Sequence, residues 1–214
     1  IVGANLNDDA GSNSGSAYIF VRSGTTWTQQ AKLLASDPAV SDWFGYKVGI
    51  HGDSVIISAH GNDDGGSTSG SAYIFVRSGT TWTQQAKLLA NDDASNDNFG
   101  ASVGISNNFA IVTAHGDDSP SNSGSAYIFK RSGTTWTQQI KLKASDAADS
   151  DNFGWNAGAI SGAHVIVGAY GNDDAGSTSG SAYIFSGSYG TSTATRQVEK
   201  WDSNINLDVS GNIY

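Results

Sequence analysis

The chain has 214 residues, of which 27 are glycine, and it contains no cysteine, so disulfide scaffolds, thiolate metal sites and cysteine nucleophiles are excluded. With 20 acidic against 11 basic residues its net charge is −9, which argues against binding to nucleic acid or insertion at an anionic membrane, because both depend on clustered Lys and Arg. Aromatic residues make up 10% and charged residues only 14%, so the chain is too apolar for a disordered acidic segment and is expected to fold.

Two short strings recur along the chain at a regular interval. The hexapeptide GSAYIF begins at Gly15, Gly70, Gly124 and Gly180. The dipeptide Phe-Gly opens three units, at residues 44–45, 99–100 and 153–154. A period of about 54 residues suits a four-stranded propeller blade. We therefore expect a single repeat domain over 1–214, one period or fragment of a longer tandem chain, with blade units 44–98, 99–152, 153–202, and 1–43 completed by 203–214.

Taken in chain order, the unit that starts at Phe44 predicts four strands: 44–50, 54–60, 71–77 and 81–89. In the third, Ala72 and Ile74 alternate with Tyr73 and Phe75, and both sets are apolar. This pattern is expected for a sheet that is covered by a neighbour on each face. The fourth strand is the most polar, so we expect it at the outer edge, and its Thr-Thr-Trp-Thr start favours extended structure over helix.

These residues resemble a known family. Phe-Gly at the start of one strand, a Gly-Ala-type triplet at the end of the next, GSAYIF and the W-T-Q-Q-A-K-L strand are similar to the FG-GAP repeat, in particular its bacterial-type branch, which is related to the propeller head of integrin alpha subunits. The resemblance covers nearly the whole chain and implies an all-β fold of about four tandem, four-stranded antiparallel blades of propeller type. The triplet lacks the family's proline. The integrin-type calcium loop D-x-D-x-D-G is also missing, since HGDS, SNNF and SGAH stand in its place.

Acidic residues concentrate in two sets of loops, those between strands two and three and those between strand four and the next strand one. In an up-and-down blade both sets emerge at the same face. Carboxylates surrounded by Asn and Ser oxygens are ligands that calcium prefers, which predicts calcium as a cofactor. The predicted ligands are Asp8, Asp9, Asp63, Asp64, Asp117, Asp118, Asp173, Asp174, Asp92, Asp93 and Asp97. The alternative left open is that Asp, Asn, Gly and Ser fill these loops because they bend and cap chains.

No catalytic constellation is predicted, and no ligand-binding residue is assigned. His60 and His115 occupy one repeat position, which Asn5 and Tyr170 fill in the other units, so a structural role is expected. Three tryptophans recur beside Gln pairs, and they either stack on sugars or cap the outer edge of their blades; we prefer the second interpretation. They are Trp27, Trp82 and Trp136.

The last residues of the sequence, read on into the first, complete one copy of the repeat. Residues 210–214 followed by 1–4 read SGNIYIVGA, and the internal copy from Ser161 reads SGAHVIVGA. We therefore expect Tyr214 to lie next to Ile1, either within a ring or in the next unit of a fibre.

These patterns predict a non-enzymatic, extracellular or cell-surface module with a structural or adhesive role, part of a longer surface or fibre-forming protein and stabilised by calcium. Its expected partners are copies of itself or adjacent repeats of the same chain, together with a surface protein or glycan. The alternative is a soluble, lectin-like or protein-ligand-binding propeller.

Overall fold

The computed structural model describes residues 1–117, 120–174, 176–177 and 179–187, and the backbone of 197–202. Every element in these residues is a β-strand, which confirms the all-β prediction, and none of them belongs to a helix that could cross a membrane. The strands are β1 (Val2–Ala4), β2 (Ser16–Ser23), β3 (Thr26–Leu33), β4 (Val48–His51), β5 (Ser54–Ala59), β6 (Ser71–Ser78), β7 (Thr81–Leu88), β8 (Phe99–Ser106), β9 (Phe109–Ala114), β10 (Ser125–Ser132), β11 (Thr135–Leu142), β12 (Phe153–Ser161), β13 (His164–Ala169), β14 (Ser181–Ser186) and β15 (Gln197–Asp202).

The strands form four antiparallel sheets in which each strand pairs with its neighbours in the chain. The orders are β1-β2-β3, β4-β5-β6-β7, β8-β9-β10-β11 and β12-β13-β14-β15, and we call these sheets blades 1 to 4. The fourth strand of each four-stranded blade is an edge strand, as predicted. Residues 203–214, which were predicted to complete blade 1, lie outside the described residues, so that prediction and the approach of Tyr214 to Ile1 stay untested.

Each internal blade buries both faces, as the alternation in GSAYIF predicted. In blade 2, Tyr73 and Phe75 pack against blade 1, whereas Ile56, Ala72 and Ile74 pack against blade 3. All five side chains are at most 5% exposed. Full burial of one large apolar side chain contributes about 1.5–3 kcal/mol, so the contacts between blades contribute substantially to the stability of the fold.

The interface between consecutive blades has a repeated geometry. Ala17 and Ile19 of blade 1 lie in one apolar cluster with Phe44, Tyr73 and Phe75 of blade 2. The ring of Phe44 packs edge-on against the rings of Tyr73 and Phe75, with distances between ring centres of 5.4 and 6.1 Å. Aromatic quadrupoles favour this arrangement. The same pairs recur in the next two blades: Phe99 with Tyr127 and Phe129, and Phe153 with Tyr183 and Phe185.

The first strand of blade 2 begins later than predicted. The sequence predicted a strand over 44–50, and β4 begins at Val48. The glycine after each Phe bends the chain, with a φ of +92° at Gly45, +97° at Gly100 and +88° at Gly154, and in blade 2 the pairing with β5 starts only after this bend, at Val48 with Ile57. In blades 3 and 4 the strand does begin at its Phe, and its pairing register shifts immediately afterwards. The other strands of blade 2 end within one residue of the prediction.

Candidate functional site

A lysine near the end of the fourth strand lies where the two sets of acidic loops meet. In blade 2, Lys87 is paired across the sheet with Tyr73, and its ammonium lies 5.2 Å from the centre of that ring. Lys87 Nζ binds Asp37 Oδ2 at 2.7 Å and also contacts the carboxylate of Asp64. Asp37 follows the last strand of blade 1, and Asp64 belongs to the β5–β6 loop of blade 2. One lysine therefore joins loops of two blades.

Blade 3 repeats this arrangement with a more deeply buried carboxylate. Lys141 Nζ lies 2.7 Å from Asp92 Oδ2 and 2.8 Å from Asp117 Oδ2. Asp117 is only 4% exposed, and the hydroxyl of Tyr127 donates a hydrogen bond to it. In blade 1, Lys32 pairs with Asp9, whose side chain is 44% exposed. The lysines compensate part of the negative charge that the loops concentrate at this end of the molecule.

The ionisation of these groups follows from burial and pairing. Burial alone lowers the pKa of Lys87, but its hydrogen bonds to Asp37 and Asp64 outweigh this effect, so the net pKa lies above its usual value. Burial raises the pKa of Asp37, whereas the hydrogen bonds from Lys87 and Tyr73 lower it, and the net pKa lies below its usual value. Asp97 differs, because burial together with the nearby charge of Asp117 raises its pKa to about 6.

The structure places most of the predicted calcium ligands in contacts with the protein itself. Three of them accept a backbone N–H of their own loop at 2.7 Å: Asp8 from Asn13, Asp63 from Thr68 and Asp97 from Ala94. Four pair with lysines: Asp9, Asp64, Asp92 and Asp117. Asp93, Asp173 and Asp174 lie in the described loops, and Asp118 lies outside the described residues.

Those of the predicted ligands that the structure describes do not form a common metal-binding group. Among the residues that the structure describes, no three His, Asp or Glu side chains come together in a way that could hold a metal ion. Calcium takes six to eight oxygen ligands. Many of the carboxylate oxygens here already accept hydrogen bonds from backbone amides of the turns or pair with lysines. Calcium binding therefore stays a prediction. The lysines were the functional residues that the sequence reasoning missed, although their recurrence in every W-T-Q-Q-x-K string was a usable signal.

Two of the three recurrent tryptophans connect the outer edges of neighbouring blades. Trp82 Nε1 donates a hydrogen bond of 2.9 Å to Gln30 Oε1 of blade 1, and Trp136 Nε1 donates an equivalent bond to Gln85 Oε1 of blade 2. Trp27 of blade 1 is 63% exposed. The contacts of Trp82 and Trp136 support the interpretation that these side chains cap blade edges.

The repeated histidines pack against aromatic rings. The ring of His60 stacks between those of Trp43 and Tyr46, with distances between ring centres of 4.8 and 3.8 Å. The ring centre of His115 lies 4.1 Å from that of Trp155. Burial, with a smaller effect of the charge of His115, lowers the pKa of His60 to about 4, so the ring is neutral at physiological pH. This environment supports the structural role expected for both histidines.

Comparison with known proteins agrees with the repeated geometry. A family model described as FG-GAP repeat matches residues 27–75, 82–129 and 136–185, which is more than half of the chain. A comparison with curated proteins finds no match. The matched segments contain three of the four GSAYIF strings and all three Phe-Gly corners around which consecutive blades pack. The chain belongs to the FG-GAP repeat family.

Proposed function

We propose that this protein is a non-enzymatic structural module of an extracellular or cell-surface assembly, in which its end blades dock onto blades of the same kind. These blades belong either to adjacent repeats of the same chain or to another copy. Membership in the FG-GAP family, whose repeats suggest an integrin-alpha-like propeller module, supports this class of function. The observation that carries the proposal is the exposure of apolar side chains on the two end blades.

Blade 1 exposes the face that internal blades turn toward their predecessor. Val2 is 54% exposed and Phe20 is 37% exposed, whereas their repeat equivalents in blade 2, Ile57 and Phe75, are at most 5% exposed. Trp27 lies at the edge of the same face. Its equivalent Trp82 is bonded to the preceding blade through Gln30.

Blade 4 exposes the opposite face. Ile166 is 47% exposed, whereas its equivalents Ile56 and Ile111 are fully buried under the following blade. The two exposed faces are therefore the two halves of the interface that already occurs inside the molecule. Contiguous apolar patches are seldom left uncovered on soluble monomers, and repeat arrays require either caps or further neighbours.

Sedimentation velocity tests the proposal. We expect the protein to associate as its concentration rises from micromolar to near-millimolar, and Ile166→Lys to abolish this association because it places a charge in the docking face. Thr135→Lys is the control, since Thr135 is exposed on the outer hairpin of blade 3 and should leave association unchanged. A wild-type protein that stays monomeric over the whole range, or equal association of both variants, would contradict the proposal.

Calcium stabilisation is a separate proposal, and it is supported by the density of carboxylates in the loops. An ion that binds only the folded state raises the melting temperature by mass action. Melting curves in millimolar calcium and in chelator should therefore differ. Superimposable curves would leave the carboxylates with the roles of turn caps and lysine partners.

The lectin-like alternative has less support. Trp82 and Trp136 are held by glutamines of the preceding blade, so their indole N–H groups are already engaged. A glycan-array screen of the wild-type protein tests this alternative, with Trp27→Ala as the variant that removes the exposed ring.

A further inference from the structure

A polar groove lies between blades 2 and 3, at the end of the strands opposite to the lysine contacts. It is formed by the β4–β5 hairpin of blade 2 and the β8–β9 hairpin of blade 3, and its volume is about 430 Å³. The polar side chains that line it include His51, Asp53, Ser54, Arg77, Asn108 and Arg131. Because both blades are internal, this groove is independent of what covers the end faces.

The blade 2 side of the groove holds a closed ion pair. Arg77 Nε and Nη2 both donate to Asp53 Oδ1, at 2.8 and 2.5 Å. The guanidinium also lies 5.7 Å from the ring centre of Trp82. The arginine of this blade therefore has a carboxylate partner within its own sheet, and the pair carries no net charge.

The blade 3 side has the same geometry with a neutral acceptor. Arg131 Nε and Nη2 donate to Asn108 Oδ1 at 3.1 and 3.0 Å, so an amide stands where blade 2 has a carboxylate. In the described part of the chain, no carboxylate pairs with Arg131. Lys130 replaces Val76 next to it and adds a second positive charge. This hairpin end is cationic in a protein whose net charge is −9.

The Arg131 guanidinium is held in place although its charge is not neutralised. It lies 5.7 Å from the ring centre of Trp136, and its Nη1 is 3.4 Å from Ser54 Oγ of blade 2. A guanidinium has five N–H donors in a planar fork, and the contacts of Arg131 use three of them. The remaining donors match a carboxylate, which arginine binds through paired hydrogen bonds. Asp53 opposes an incoming anion only weakly, because Arg77 already neutralises it.

We propose that Arg131 and Asn108 form a binding site for a single carboxylate group of a partner, supplied by an acidic peptide side chain or by an acidic sugar. The ligand occupies the groove between blades 2 and 3 and neutralises Arg131 through the N–H groups left on Nη1 and Nη2, because Asn108 already occupies the edge that Asp53 binds on Arg77. The partner of the arginine is neutral in blade 3, where Asn108 replaces Asp53, and Lys130 in place of Val76 adds to the positive charge of this blade.

Nuclear magnetic resonance titration of the arginine Nε–Hε signals tests this site. The probes are glutamate blocked at both termini and methyl glucuronide, each with one carboxylate, against sodium chloride at matched ionic strength. We expect saturable shifts of the Arg131 signal and of the Asn108 amide with the carboxylates only, and no such shifts at Arg77. The probe that binds more tightly identifies the peptide or the sugar as the source of the carboxylate.

Two matched variants complete the test. Asn108→Asp rebuilds the ion pair of blade 2 and should weaken binding by about tenfold or more, because the charged acceptor inside the protein competes with the ligand. Asp53→Asn should create a second site at Arg77. Both variants should keep the fold, since each reproduces a residue that the neighbouring blade already carries. Shifts that chloride reproduces, or undiminished binding by Asn108→Asp, would overturn the proposal.

Discussion

Substitution of Gly70 by Ala tests whether the corner between consecutive blades depends on glycine. Gly70 has a φ of +86°, and a Cβ added there would lie 2.1 Å from the carbonyl oxygen of Phe99 and 2.7 Å from its nitrogen. These two residues form a parallel bridge between blades 2 and 3, and Phe99 N donates to Ser69 O at 2.8 Å. Both neighbours of the added methyl group are backbone atoms, so the chain itself must move to accommodate it.

The expected loss combines two effects. A residue with a Cβ in this conformation costs about 1–3 kcal/mol, and displacement of the Phe99 backbone disturbs the aromatic contacts of blade 3. We expect a total of about 3 kcal/mol or more, which lowers the melting temperature of a chain of this size by about 6–12 °C. Thermal unfolding followed by circular dichroism measures it.

Gly79→Ala is the matched control. Gly79 also has a positive φ, +63°, but no atom lies within 4 Å of its added Cβ. Only the conformational cost of about 1–2 kcal/mol applies there, which corresponds to about 2–8 °C. Equal losses for the two variants would refute the reasoning, because they would show that the contact with Phe99 contributes nothing.

Three further substitutions test the other contacts between blades. Gln85→Ala removes the acceptor of Trp136 and should cost about 1 kcal/mol. Gln139→Ala removes a hydrogen bond that, within the described residues, goes to Thr137 of the same strand, and it should leave the melting temperature nearly unchanged. Lys141→Met leaves the buried carboxylate of Asp117 without its cation and should cost about 3–5 kcal/mol. Lys32→Met leaves only the exposed carboxylate of Asp9 unpaired and should cost at most about 1 kcal/mol. A larger loss for Lys32→Met than for Lys141→Met would contradict the burial argument. Asp97 has a pKa of about 6 in the folded protein against 3.8 for the free carboxyl, so the folded state binds its proton more tightly. The wild type should therefore gain stability relative to Asp97→Asn as the pH falls from neutral toward 3.8, and a constant difference in melting temperature would show that Asp97 is not perturbed.

The repeated sequence determines the strands and the faces that they bury. Ala72, Ile74, Tyr73 and Phe75 alternate with the period of a strand, and this local pattern is enough to predict a sheet covered on both faces. The recurrence of GSAYIF and Phe-Gly then specifies the number of blades and the family. Both properties depend on residues that are close in sequence, which is why they could be predicted without coordinates.

The roles of the charged residues were decided by the tertiary structure. Asp37 and Asp64 are 27 positions apart in the numbering, and only the stacking of blade 1 on blade 2 brings both to Lys87. The sequence identified the acidic loops but not the lysines between them, because the stability of an ion pair depends on distance and burial and not on composition. The contrast between Arg77 and Arg131 likewise becomes visible only where folding places each arginine against residue 53 or residue 108.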